Sequence, residues 1–244
     1  MTRVVVTGGG TGIGRATARL FARDGAEVVL VGRRAEVLEE AAAELEPAAV
    51  RVVAADLAGT DGARLVLEAL DSLGDGSVDV LVNNAGGVDR DKRPGLDGYA
   101  DSFRRTLAAN LLSAAVLTEA LWPRLARPGG RVVSVGSIAA RRGGADGYTA
   151  AKAGLIGWSQ GLARRGGPEG ISVNTVVPGY VQDTGFFGPA GRSVRHDTLV
   201  AETLLGRAGV PGDIAPLIHF LASPGAAWIT GQAFDVNGGS VLGR

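Results

Sequence analysis

RVVVTGGGTGIG, from Arg3 to Gly14, begins as a short β-branched apolar run and is stopped by glycines. The run reads as a buried strand. The Ala-rich amphipathic stretch behind it, from Gly12 to about Asp24 with Gly25 as its stop, reads as a helix. A strand that ends in a Gly-rich turn at a helix N-terminus is a phosphate cradle, because backbone N–H groups and the positive end of the helix dipole both face the anion. Spacing separates the kinds of cradle. In G-x-G-x-x-G the third glycine would fall on Ile13, and a Walker A loop from Gly9 would put Arg15 and Ala16 where Lys and Ser/Thr belong. T-G-x-x-x-G-x-G fits, on Thr7, Gly8, Gly12 and Gly14.

Working outward, the same strand–helix unit recurs. Glu27–Val31 is a second apolar strand, followed by Gly32, Arg33, Arg34 and a helix to about Glu46. Val50–Ala54 is a third, leading to Asp56-Leu57 and a helix over about 60–73; Val78–Val82 is a fourth, ending in Asn83-Asn84-Ala85-Gly86. Strands that are apolar throughout, alternating with helices, mark a parallel sheet covered on both faces. The expected fold is therefore α/β: a single doubly wound, Rossmann-like domain over residues 1–244 with a central seven-stranded, mostly parallel sheet. Such sheets bind ligands beyond the C-terminal strand ends, at the topological switch point. Thr7, Arg33, Asp56, Asn83 and Ser137 all fall just after a strand. Where an NAD-binding unit carries an acid for the ribose 2′-OH, this chain has Gly32 followed by Arg33, whose guanidinium matches a 2′-phosphate. NADP(H) is thus expected ahead of NAD(H), which remains the second choice.

After a fifth apolar run, Arg131 to Gly136, comes SIAARRGGADGYTAAK, residues Ser137–Lys152. Tyr148 and Lys152 stand one helical turn apart on one face. A phenol beside an ammonium is expected to titrate low, which makes Tyr148 a candidate general acid or base. By itself such a pair is most often a solvated helix face, so its weight comes from company. A long helix is expected from about Tyr99 to Ala126 with Asn110 inside it, and the Tyr148 helix continues to about Arg165. A sixth strand, Ile171–Val176, reaches Pro178-Gly179. The long connection from Tyr180 to Leu205, with Phe186, Phe187, Gly188 and Pro189 clustered in it, reads as a substrate loop or lid. A helix over about Gly212–Leu221 and a strand, Gln232–Val236, follow.

Bulk properties narrow the classes. The chain has 244 residues, 25 acids, 25 bases, two His and no Cys. Zero formal charge argues against nucleic acid or an anionic membrane surface as partner. Thiolate chemistry and Cys-bound metals are excluded, and no protein-built metal site is expected. No apolar run approaches the ~20 residues of a membrane span, and MTRVVVTGGG is too short for a signal peptide, so the cytoplasm is the expected compartment.

Taken together, TGGGTGIG, Asp56, NNAG at Asn83–Gly86, Asn110, Ser137, Tyr148-x-x-x-Lys152, Asn174 and Pro178-Gly179 resemble the classical short-chain dehydrogenase/reductase family in order and spacing, over the whole chain. The resemblance implies an NADP(H)-preferring oxidoreductase that interconverts a small-molecule ketone or other carbonyl with a secondary alcohol, working as a homotetramer or homodimer. Its implied catalytic set is Tyr148 as acid/base, Lys152 lowering the Tyr148 pKa and holding the ribose, Ser137 on the substrate oxygen, and Asn110 anchoring a water relay. Implied cofactor positions are Thr7, Gly8, Gly10, Thr11, Gly12, Ile13 and Gly14 in the first loop, with Arg33 and Arg34 after the second strand. Asp56 and Leu57, then Asn83, Ala85 and Gly86, continue the set, and Tyr148, Lys152, Pro178, Gly179, Val181 and Thr184 complete it. Departures from the pattern are visible. The Ser137–Tyr148 loop is about two residues short, leaving Ser134 as the alternative serine. The threonine expected after Pro-Gly falls on Asp183, with Thr184 one place later, so Thr184 serves only through a one-residue bulge. Thr11 stands where a basic residue is common in NADP users. Two rival readings are a catalytically silent nucleotide-sensing protein on the same fold and an epimerase or dehydratase; the intact tetrad opposes the first, length and G-x-x-x-G-x-G spacing the second.

Overall fold

The computed structural model describes residues 2–45, 47–91, 93–144, 146–187 and 194–243. Strands β1 (Arg3–Thr7), β2 (Glu27–Gly32), β3 (Val50–Ala54), β4 (Val80–Asn83), β5 (Arg131–Val135), β6 (Ser172–Pro178) and β7 (Ala233–Val236) form one parallel sheet in the order β3-β2-β1-β4-β5-β6-β7. The helices are α1 (Gly12–Arg23), α2 (Ala35–Ala43), α3 (Thr60–Asp71), α4 (Gly95–Leu107), α5 (Ser113–Leu121), α6 (Ala139–Arg142), α7 (Asp146–Gly166), α8 (His196–Ala201) and α9 (Pro211–Ala222). Chain direction across the sheet reverses between β1 and β4, which fixes the crevice at their C-terminal ends.

The pleat explains the two-sided cover, because successive strand residues face opposite sides. Val4, Val6, Val28, Leu30, Val80 and Val82 pack with Phe21 of α1, Leu38 of α2 and Ile214, Ile218 and Leu221 of α9. Their neighbours Val5, Val29, Val31, Leu81 and Val132 pack on the other face with Val66 and Leu70 of α3, Leu117 and Leu121 of α5, and Leu162 of α7. Strands that are apolar at every position therefore need helices on both faces, as the sequence pattern required.

The long helix expected from Tyr99 to Ala126 is divided. Between α4 and α5 the backbone takes a π step over Ala108–Leu112, and beyond α5 a 3₁₀ turn at Trp122–Arg124, with Pro123 inside it, ends the helical run. Polar side chains bond the carbonyls at the π step: Ser113 Oγ donates to Ala109 O at 2.9 Å and Asn110 Nδ2 to Thr106 O at 2.9 Å. The connection from Tyr180 to Leu205 holds a 3₁₀ turn at Gly185–Phe187 and the short α8. Gly188 and Pro189 of the expected aromatic cluster, and Glu46 at the expected end of α2, lie outside the described residues.

Candidate active site at the sheet switch point

The first loop is built for an anion. Thr11, the N-cap of α1, makes no side-chain capping bond, and the first turn carries no acid, so its N–H groups are left for a ligand. Gly8 and Gly12 have φ of 64° and 52°, and a Cβ on Gly14 would lie 2.3 Å from Gly8 O. Gly14 thus lets α1 seat directly on the end of β1. Gly10 packs against Val37 of α2, and Ile13 turns into the core beside it. These features fit a dinucleotide pyrophosphate.

Thr7 and Asn84 close the crevice from inside. Thr7 Oγ accepts the Asn84 and Ala85 N–H groups, each at 2.9 Å, and donates to Val82 O at 3.2 Å. Its hydroxyl is spent on joining β1 to the loop after β4, so it binds that loop rather than facing a cofactor. Asn84 Nδ2 donates to Thr7 O at 2.9 Å, a clamp that the sequence reading passed over although the doubled Asn was its signal. Asn83 donates to Thr118 Oγ at 2.9 Å, while its buried Oδ1 has no partner among the described residues. Around the rim, Arg33 and Arg34 stand exposed after β2 and have no ion pair among the described residues, whereas Arg15 and Arg19 are both bound to Glu44. Asp56 caps its own turn through Ala58 N–H at 3.0 Å, and the Leu57 side chain is buried in the core. At the end of β6, Gly179 lies against Asn237, where a Cβ would come within 2.7 Å of Cα, and Val181 bridges to Gly209. Asn174 ties β6 to the segment before β7 through Ile229 O and Gln232 N–H.

Ser137, Tyr148, Lys152 and Asn110 are brought to one place. Ser137 lies close enough to the Tyr148 phenol to draw its pKa down, so the shorter loop, with α6 folded into it, still delivers the serine. Ser134 is fully buried and faces Ser159 at 3.4 Å, which removes it as the alternative. Lys152 Nζ sits 5.7 Å from the Tyr148 ring centre and donates to Val135 O at 2.8 Å. Asn110 Oδ1 accepts Gly87 N–H at 2.9 Å, and its Nδ2 donates to Gly87 O at 2.6 Å. A Cβ on Gly86 would lie 2.4 Å from Asn110 Oδ1 and 3.4 Å from Lys152 Nζ, so that glycine is what lets the amide and the ammonium approach.

A family model described as enoyl-(acyl carrier protein) reductase matches residues 8–240. The chain belongs to the short-chain dehydrogenase/reductase family. It is 36% identical over 249 residues to a 3-oxoacyl-(acyl-carrier-protein) reductase of Vibrio cholerae, covering 98% of this chain and 96% of that one. It is 37% identical over 246 residues to a D-xylose 1-dehydrogenase of Caulobacter vibrioides, covering 97% and 94%. A short-chain dehydrogenase of Burkholderia cenocepacia solved in complex with NADP superposes with a TM-score of 0.84 at 34% identity, covering 98% of this chain and 97% of that one.

Two further features of this short-chain dehydrogenase/reductase concern the Tyr180–Leu205 loop and its surroundings. Asp183 takes a left-handed backbone, φ 58°, and the turn brings the Thr184 side chain to 3.1 Å from the Cβ position of Gly12. Thr184, not Asp183, therefore meets the first loop. Beside Tyr148 opens a cavity of about 160 Å³ lined by Val88, Asp89, Ser102, Phe103 and Asp146 among others.

One expectation is overturned. Burial pushes the Tyr148 phenol up to about 12, outweighing the Ser137 hydrogen bond that draws it down. The reason is the phenol's own loss of water, which disfavours the phenolate; the neighbouring Lys152 is desolvated too, its ammonium pushed down to about 8. The consequence for stability has a definite sign. Between pH about 8 and 10.5 the unfolded chain keeps the Lys152 proton that the folded chain has released, so the ligand-free protein gains stability as pH rises through this window. Tyr148 reverses the trend between about 10 and 12, where the folded chain keeps a proton the unfolded chain has lost. Urea unfolding at pH about 7.5, 9 and 10 will show the rise, and Lys152→Met will flatten it.

Proposed function

We propose that the protein is an NADP(H)-preferring reductase or dehydrogenase that interconverts a small-molecule carbonyl and a secondary alcohol, with Tyr148 as the acid/base. The observation that carries this reading is the gathering of Ser137, Tyr148, Lys152 and Asn110 at one place, with Lys152 Nζ 5.7 Å from the Tyr148 ring centre and both Lys152 and Asn110 against Gly86. The first loop, Asn83 to Gly86, Val181 and Thr184 would hold the dinucleotide, and Arg33 with Arg34 its 2′-phosphate. When bound, the cofactor supplies or takes the hydride at the substrate carbon. Ser137 orients the substrate oxygen, and Tyr148 gives it a proton in reduction or takes one in oxidation. A phenol held neutral by burial favours the proton-donor role at neutral pH. Asn110 and Lys152, buried together against Gly86 and Gly87, keep the site's cation in place. The reading covers all of 1–244 as one unit, with about 180–205 as the substrate loop. Relatives it resembles include an acyl-carrier-protein reductase and a sugar dehydrogenase, which supports the reaction class and leaves the substrate to a carbonyl screen with NADPH oxidation as readout.

A charge-assisted contact to the 2′-phosphate is worth roughly 1.5–3 kcal/mol, so NADPH is expected to exceed NADH by about ten- to hundredfold in kcat/KM. Arg33→Asp reverses that preference, and equal use of both cofactors by the wild type overturns it. Tyr148→Phe keeps the ring and removes the hydroxyl, so fold and NADPH affinity survive while turnover falls by ~10²–10⁴. Retention of more than about a tenth of wild-type kcat, a cost of only ~1.4 kcal/mol, defeats the assignment.

We also propose a homotetramer or homodimer. Leu112 on the π step, Phe220 on α9, Trp228 and Leu242 are exposed apolar side chains, Trp228 at 99%. Light scattering at micromolar concentration checks this, a monomer being the contrary result.

A further inference from the structure

The loop after β4 reaches across the crevice to the segment between Val181 and α8. Arg90 is exposed, yet its Nη2 donates to Phe186 O at 2.9 Å and to Gly185 O at 3.4 Å. Those two carbonyls belong to the 3₁₀ turn Gly185–Phe187, and the two N–H groups of one guanidinium nitrogen reach successive main-chain oxygens. Arg90 is presented from a braced loop, because Arg105 of α4 donates to Asp89 Oδ2 at 2.8 Å and to Asp91 O at 2.9 Å. The far side of the segment is anchored as well: Tyr180 Oη lies 2.9 Å from His196 Nδ1, and Arg142 of α6 bonds Glu202 beyond α8.

Between these anchors the described residues of the segment meet the site. The Phe186 ring packs against the Tyr148 ring with centroids 5.3 Å apart at 54°, and Thr184 lies against Gly12 of the phosphate loop. Tyr148 is thereby shared between Phe186 and the cavity beside Val88 and Phe103.

We propose that Arg90 is a positioning residue: its hydrogen bonds to Gly185 and Phe186 hold the Phe186 ring against Tyr148 and so set the wall of the substrate site. Arg90 acts through the Gly185 and Phe186 main chain. The role in catalysis rests on the reading of Tyr148 as the acid/base, but the latch itself is measurable without turnover.

Hydrogen exchange on the ligand-free full chain compares wild type, Arg90→Ala and Arg90→Lys. Arg90→Ala is expected to speed exchange in a peptide over 182–187 by about tenfold, the effect of losing a hydrogen bond of ordinary net strength, with β1 and β6 peptides unchanged. Arg90→Lys, which keeps a charged donor, restores much of the protection. With the best substrate from the carbonyl screen, Arg90→Ala raises KM by about three- to tenfold and changes kcat less, because the closed segment is populated less often. Unchanged exchange over 182–187 in Arg90→Ala overturns the latch, and an unchanged KM overturns its role at the site. The exchange result is independent of Tyr148→Phe, so a failure of the acid/base reading and a failure of the latch are separately visible.

Discussion

Everything at the crevice depends on an approach that no side chain permits: the backbone of Gly14 lying on the carbonyl of Gly8. That contact seats the N-terminus of α1 over the end of β1. Asn84 then reaches Thr7 O and Gly8 O from the neighbouring strand, and Thr7 Oγ receives the N–H groups of Asn84 and Ala85. A bulkier residue at position 14 would lever α1 away, and the clamp to β4 would lose its seat. Close packing makes this an all-or-none arrangement rather than an adjustable one.

The second constraint is desolvation. Tyr148 and Lys152 lie one turn apart, yet burial acts on them in opposite senses, raising the phenol and lowering the ammonium. Both shifts favour the neutral forms. At neutral pH the ligand-free site therefore pairs a neutral phenol with a lysine that still carries its proton, and the ammonium is directed by its hydrogen bond to Val135 O.

Much of this could be read from the residues. The β-branched runs and the spacing of Gly8, Gly12 and Gly14 determined strands, cover and cradle, because backbone sterics act locally and repeat along the chain. Tyr148 and Lys152 share a helix face by geometry alone. What stayed hidden depends on long-range surroundings. The π step over Ala108–Leu112 was not expected inside the long helix, and the partners of Asn110, the Gly87 backbone and Thr106 O, show only in the folded chain. The direction of the Tyr148 shift comes from burial, to which Phe186, far along the chain, contributes a packed ring. The resemblance put Thr7 among the cofactor positions; the partner loop shows that its hydroxyl is used to join β1 to the segment after β4.

The β1–β4 pairing carries a further consequence, for the order in which the molecule can be made. Val5 aligns with Leu81, and Arg3 N–H bonds Asp79 across 76 positions of sequence. β1 therefore waits, during synthesis or refolding, for a strand from the middle of the chain before the crevice exists. Parallel pairings across such separations pay their loop-closure entropy before any contact rewards it. A nucleotide can bind only after that closure, and binding then draws the equilibrium toward the closed chain by mass action. A nucleotide bound in this crevice would then also act as a folding ligand, on the pairing that spans the most sequence in the sheet.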